Sequence, residues 1–351
     1  MNYSKAVGAA ALLAIGSTAY AQSSVTLYGL LDVGLEYKNQ TTGADGARTS
    51  QAKMTNGNLL GNRWGLKGVE DIGGGTKVIF TLESGFTLTD GASSQGGRLF
   101  GRKAFVGLDT RFGVVTLGRQ NNLVYENVTP FDPALLVLYS ASTYDAFLVG
   151  RMDNSVKYQV KSHGLFFGSM YSTGYETVSG QGQLPGHSKV GREYEFVATY
   201  KKAGFGAFVG FDQQQGTSIA TQDNAIQRFL LAASYKAGPA TLAGGWRWLN
   251  GQNGAAAQSA NLFWGGGTWQ FNPFFSLALS GYHMQMKQTH NGPSSVVLFA
   301  DYWVSKSTDF YALFSHMWNS KGTNLGVEGQ ALSTGYGVAQ TGAIVGIRHT
   351  F

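Results

Sequence analysis

Apolar and polar residues alternate one by one along much of this chain. Between Val25 and Lys38, the residues Val25, Leu27, Leu31, Val33, Leu35 and Tyr37 fall on one face, and Thr26, Tyr28, Asp32, Glu36 and Lys38 on the other. A period of two is the repeat of a β-strand whose two faces meet different surroundings. The last residues repeat it: Ala343, Val345, Ile347 and Phe351 share one side, and Gly346, Arg348 and Thr350 share the other. An apolar face backed by a charged one, ending on an aromatic, suits a strand with lipid outside and water inside.

Sixteen such stretches are expected. After 25–38 and a long polar loop come 62–69 and 76–83, joined by a tight turn, then 98–108 and 114–120. The pairs 151–160 with 165–171, 193–200 with 205–213, 226–236 with 240–250, 260–271 with 274–287 and 295–304 with 309–319 follow, and the last strand starts at Gln340. Short turns alternate with long connections. All six prolines (Pro130, Pro133, Pro185, Pro239, Pro273, Pro293) fall in connections, as expected of a residue that removes a ladder donor. An even strand number with short turns at one end and long loops at the other describes an all-β, 16-stranded antiparallel transmembrane β-barrel.

One connection differs from the rest. Residues 121–150 hold Pro130 and Pro133 together with Val124, Tyr125, Phe131, Leu135, Leu136, Val137, Leu138 and Tyr139. A connection of this length is uncommon unless functional. One so apolar is expected to pack inside something rather than extend into water.

Composition narrows the class. Lys5, the apolar run from Ala6 to Gly16 and the small-x-small site Ala19-Tyr20-Ala21 read as a signal peptide over 1–21, leaving 22–351 as one barrel domain. No later apolar run approaches the ~18–20 residues of a helical span. Cysteine is absent, while 50 glycines and 46 aromatic residues suit many short strands and tight turns. The net charge of +6 is dispersed, which argues against a nucleic-acid partner.

Candidate chemistry is sparse. His283, Met284, Met286 and His290 come close in sequence but lack a carboxylate or cysteine, so no metal or other cofactor is expected. Neither a G-x-S-x-G nor an H-E-x-x-H motif occurs, and no enzyme is expected; a barrel-embedded hydrolase is a remote alternative. A secreted adhesin of sandwich type is another reading of alternating strands.

Six segments in order resemble the general porins of Gram-negative bacteria, in particular the trimeric porins of beta-proteobacteria. They are VTLYGLLDVGLEY from Val25, NRWGLKGVEDIGGGTKVIFTLESGF from Asn62, KAFVGLDTRFGVVTLGRQ from Lys103, DNSVKYQV from Asp153, ADYWVSKSTDFYALF from Ala300, and VGIRHTF at the end. The resemblance implies sixteen strands, a homotrimer in outer-membrane lipid and lipopolysaccharide, and a third external loop folded into the lumen at 121–150. It implies basic wall residues at Arg63, Arg119 and Arg151, with Arg102 and Lys67 as additions, facing acidic loop residues Glu126, Asp132 and Asp145. The local order Pro130-Phe131-Asp132-Pro133 sets Phe131 where the family often has an acid. Phe351 takes the place of the family's terminal assembly signal. The function so implied is passive diffusion of small hydrophilic solutes and ions, with weak anion preference. A channel specific for a sugar or organic acid, using Tyr125, Phe131, Tyr139 and Tyr144 as a stacking track, is the alternative.

Overall fold

The first strand, β1 (Ser24–Thr42), shows how the alternation becomes a wall. Val25, Leu27, Leu35 and Tyr37 are exposed, whereas Asp32, Glu36 and Lys38 are at most 2% exposed. Apolar side chains outside and charged ones hidden is the reverse of a water-soluble domain, and it is what lipid demands. The structure is a computed structural model that describes residues 23–43, 45–176, 182–254, 257–329 and 334–351. The expected signal peptide, 1–21, lies outside the described residues.

Among the described residues seventeen strands form one antiparallel sheet. After β1 come β2 (Arg48–Asn56), β3 (Arg63–Asp71), β4 (Lys77–Gly85), β5 (Lys103–Thr110), β6 (Gly113–Asn121), β7 (Arg151–Ser162) and β8 (Leu165–Ser172). Then follow β9 (Glu193–Lys202), β10 (Phe205–Gln215), β11 (Ala225–Ala237), β12 (Ala240–Gly251) and β13 (Gln258–Asn272). The last are β14 (Phe275–Met286), β15 (Ser294–Trp303), β16 (Thr308–Trp318) and β17 (Gln340–Thr350). β1 pairs with both β2 and β3, from β3 onward each strand pairs with the next, and β1 pairs with β17 from Leu30↔Thr350 to Lys38↔Gly342, so the sheet closes. At the seam Gly29 and Phe351 exchange backbone hydrogen bonds of 3.0 and 3.2 Å. The Phe351 ring lies 2.2 Å from where a Cβ on Gly29 would stand, so a side chain at position 29 would displace the ring from the seam.

The barrel nonetheless has sixteen strands, because β2 and β3 are two halves of one. The free edge of β1 pairs with β3 from Ser24 to Leu30 and with β2 from Val33 onward. Residues 48–56 were expected within a long polar loop; they form a strand because β1 continues to Thr42 and offers them an unpaired edge. Their polar side chains hide the alternation. The strand expected from residue 98 starts later, at Lys103.

Asp32 holds the break together. Its carboxylate accepts the N–H groups of Leu59 at 2.7 Å and Leu60 at 3.0 Å and the hydroxyl of Tyr311 at 2.5 Å. Its backbone C=O accepts the N–H of Gly57. The ladder bonds that the break removes are thus replaced within the wall.

The 121–150 connection rests against inward-facing side chains. It consists of a short helix, Leu123–Val128, and single helical turns at Thr129–Phe131, Ala141–Tyr144 and Ala146–Val149. Its Leu123 N–H donates to Glu195 on β9, and Trp264 on β13 donates to the Phe131 carbonyl. Tyr282 on β14 donates to Asp132, Tyr139 to Glu36 on β1, and Tyr144 to Ser295 on β15. The apolar core lies between this segment and the wall, where Leu123, Val124, Phe131 and Leu148 meet Phe208, Leu262, Trp264 and Val297. Leu135, Leu136 and Tyr139 adopt φ of 56°, 57° and 75°. Such left-handed residues cost roughly 1–3 kcal/mol each where a side chain is present, and burial of Leu136 and Tyr139 in this core, though not of the exposed Leu135, offsets it.

Asp32→Ala is expected to leave the Leu59 and Leu60 N–H groups without an acceptor, at about 1–3 kcal/mol for each. The folded-to-unfolded transition on heating, read by gel mobility, should fall in this variant. An unchanged transition would show that Asp32 is dispensable at the break.

Candidate functional site

The β3–β7 part of the wall gathers positive charge on its inner side. Arg63 opens β3 and donates through Nε to the Gly61 carbonyl at 2.9 Å. Arg102, which precedes β5, is buried and forms an ion pair through Nε with Glu83 Oε1 at 2.8 Å. Tyr28 donates to the other Glu83 oxygen at 2.9 Å. Arg151 opens β7, beside Asn121. Arg63 and Arg151 both feel the charges of Arg102 and Glu83, so the three guanidiniums belong to one electrostatic neighbourhood.

The wall arginines differ in how they are compensated. Arg119 donates to the Gly101 carbonyl at 2.7 Å and pairs with Asp153 at 2.6 Å, a carboxylate that also holds Arg98. A bulge follows Gly118, whose φ is +130°, and it re-aims Arg119 toward Asp153. Lys67 is exposed, with its ammonium 5.4 Å from the Tyr28 ring centre. Arg63 and Arg151 form no ion pair among the described residues, and each has a buried guanidinium nitrogen without a hydrogen-bond partner. Net positive charge is therefore concentrated on these two.

The three acidic residues of the segment occupy different settings. Glu126 is exposed and reaches Lys157 on β7 at 2.8 Å. Asp132 is enclosed, accepting from Tyr282 at 2.6 Å and from the N–H of Ala134 at 2.9 Å. Asp145 is buried between Arg228 Nε at 3.1 Å and Arg247 Nε at 3.2 Å. Only Glu126 of the three presents its charge to solvent.

Against this geometry the comparisons with known proteins can be set. The sequence model described as Gram-negative porin matches residues 8–322. This chain belongs to the Gram-negative porin family. The porin is 28% identical over 362 residues to outer membrane porin protein 32 of Delftia acidovorans, covering 99% of both chains. It is 39% identical over 183 residues to an outer membrane porin protein of Bordetella pertussis, spanning about half of each (48%). Its fold matches the anion-selective porin from Comamonas acidovorans with a TM-score of 0.80 at 25% identity, covering 94% of this chain and 100% of that one. Family and fold place the porin in the outer membrane, as a channel protein and not an enzyme.

Several residues that shape the site were not singled out from the sequence: Glu83, Lys103, Asp153, Lys157, Arg228 and Arg247. The available signal was a charge in the middle of an alternating strand, which marks Glu83, Lys157, Arg228 and Arg247. What the sequence does not carry is the register that pairs them. Asp132 and Asp145 also differ in electrostatics. Burial pushes the Asp132 carboxyl up, against its hydrogen bonds from Tyr282 and backbone N–H groups. Burial acts upward on Asp145 too, but Arg228 and Arg247 outweigh it and hold that carboxyl below the usual range. Acidification through the carboxylate range thus removes stability contributed by Asp145, whereas protonation of Asp132 favours the folded state.

Asp145→Ala is expected to leave Arg228 and Arg247 buried beside one another without their shared carboxylate, costing about 3–5 kcal/mol. The heat-induced gel-mobility shift should occur at a clearly lower temperature than in the parent protein. A wild-type transition would mean that Asp145 does not anchor the segment.

Proposed function

We propose that this porin is a water-filled channel for passive diffusion of small hydrophilic solutes and ions, with anion preference set by Arg63 and Arg151. In this reading residues 121–150 narrow the lumen and face the basic wall, with Arg102, Arg119 and Lys67 adding to the positive field and Glu126 opposing it. The observation that carries it is the lack, among the described residues, of a carboxylate partner for Arg63 and Arg151 while Arg102 and Arg119 are ion-paired. Selectivity in a passive pore follows the fixed charge at its narrow point. The anion selectivity named for the Comamonas porin, whose fold this chain shares, supports the same sign. Asp132 and Asp145 act in this reading as anchors of the segment rather than as counter-charges.

A solute-specific aromatic track receives less support. Phe131, Tyr139 and Tyr144 are buried, and both tyrosine hydroxyls are engaged by the wall, which leaves Tyr125 alone of the four with partial exposure.

The expected outward setting is lipid and, on one side, two further copies of the chain. An outward hollow of about 630 Å³ along β1 and β15–β17 is lined by Val33, Leu35, Tyr302, Phe310 and Val345, around the small residues Ala300 and Ala312. A surface of this kind supports the homotrimer. Phe351, exposed beside Gly29, is read as the assembly signal.

In a planar bilayer under a salt gradient, the reversal potential should have the sign of an anion-preferring pore. Replacing both residues, Arg63→Gln with Arg151→Gln, should move it toward zero or past it. Cation preference in the parent protein, or an unchanged potential in the double variant, would refute the assignment. Deletion of Phe351 should lower the yield of an SDS-resistant trimer severalfold while the channels that do assemble keep their conductance. Normal trimer yield would remove the role given to that residue.

A further inference from the structure

Away from the basic wall, three carboxylates stand together on the inner side of β9 and β10. Glu193 and Glu195 lie two residues apart on one face, and Asp212 is directly across from Glu195 in the register. One carboxylate oxygen from each lies within 4.8 Å of the other two. All three residues are at most 1% exposed. Each has an oxygen hidden from solvent with no hydrogen-bond partner: Glu193 Oε2, Glu195 Oε1 and Asp212 Oδ2. Unpartnered buried carboxylate oxygens are costly, and three at one place require either bound protons or a counter-charge.

The neighbouring cations do not supply enough. Asp212 shares Arg228 with Asp145, Arg247 also serves Asp145, and Lys157 pairs with Glu126. Of the three clustered carboxylates, only Asp212 has an ion pair among the described residues, with Arg228, so Glu193 and Glu195 leave two negative charges uncompensated at this place.

We propose that Glu193, Glu195 and Asp212 form a binding site for one divalent hard cation, Ca²⁺. An all-oxygen, all-carboxylate donor set suits Ca²⁺ or Mg²⁺ and disfavours zinc and copper, which take imidazole or thiolate. Mg²⁺ keeps several waters and binds through one or two carboxylates, whereas Ca²⁺ accepts more oxygen ligands in a flexible geometry, and three carboxylate oxygens within 4.8 Å of one another can reach one such ion together. One divalent charge also closes the deficit. The site reaches the inner segment, because the second oxygen of Glu195 accepts the Leu123 N–H at 2.6 Å. A bound ion would thereby tie β9, β10 and the start of that segment together.

The test uses the full barrel, refolded free of lipopolysaccharide so that no lipid phosphate contributes, stripped with a chelator and titrated with CaCl₂ calorimetrically at neutral pH. Saturable binding of one Ca²⁺ per chain is expected, with a higher unfolding temperature in its presence. Glu193→Gln with Asp212→Asn should weaken that affinity at least about tenfold and abolish the thermal shift. If the pair does not refold, Glu195→Gln is the second variant, with the same expectation. No saturable binding by the parent protein would overturn the proposal and assign the surplus charge to bound protons instead. Ca²⁺ binding that survives the substitutions unchanged would place it elsewhere and overturn the proposal equally.

Discussion

Every peptide group of this porin that faces lipid must find its hydrogen-bond partner within the protein, and the rest of the structure follows from that requirement. An open sheet would leave two edges unsatisfied in hydrocarbon, so the last strand must meet the first. The register from Leu30↔Thr350 to Lys38↔Gly342 is where that happens. Closure then fixes which side of each strand faces in, and with it the destination of every charged residue placed in a strand. It also explains the effort spent at the one interruption, between β2 and β3, where Asp32 stands in for the missing ladder bonds.

A closed wall with an apolar outside forces the polar problem inward. Charges that a soluble protein would leave on its surface must here be hydrated by the lumen or paired across it. Arg102 with Glu83, and Arg228 and Arg247 with Asp145, take the second course, whereas Arg63 and Arg151 form no ion pair among the described residues. The same interior therefore contains structural ion pairs, which tie the 121–150 segment to the wall, and guanidiniums without an ion pair among the described residues. The difference between them lies in register and reach rather than in residue type.

What could be read from the sequence follows the same division. Alternation revealed the strands because the two faces of each have opposite solvents, and the count of sixteen followed from the connections. β2 escaped notice because its side chains, from Arg48 to Asn56, are mostly polar on both faces. The anomalous apolar content of residues 121–150 was legible, since Phe131 and Leu148 need a core. The separate settings of Asp132, Asp145 and Glu126 were not, because they depend on which distant strand each meets: β14, β11 with β12, and β7. The pairing of Arg119 with Asp153 was not legible either, because it depends on a bulge at Gly118 that no local pattern announces.

The left-handed backbone at Leu135, Leu136 and Tyr139 bears on what gives the segment its shape. A chain in isolation has no reason to hold those angles, and the helical turns on either side are too short to persist by themselves. The partners that select this shape, Glu36, Trp264, Tyr282 and Arg228 among them, come from strands far apart in sequence that are neighbours only around a closed circumference. The shape of this segment is therefore a property of the closed barrel as a whole, and no single hairpin of the wall could specify it.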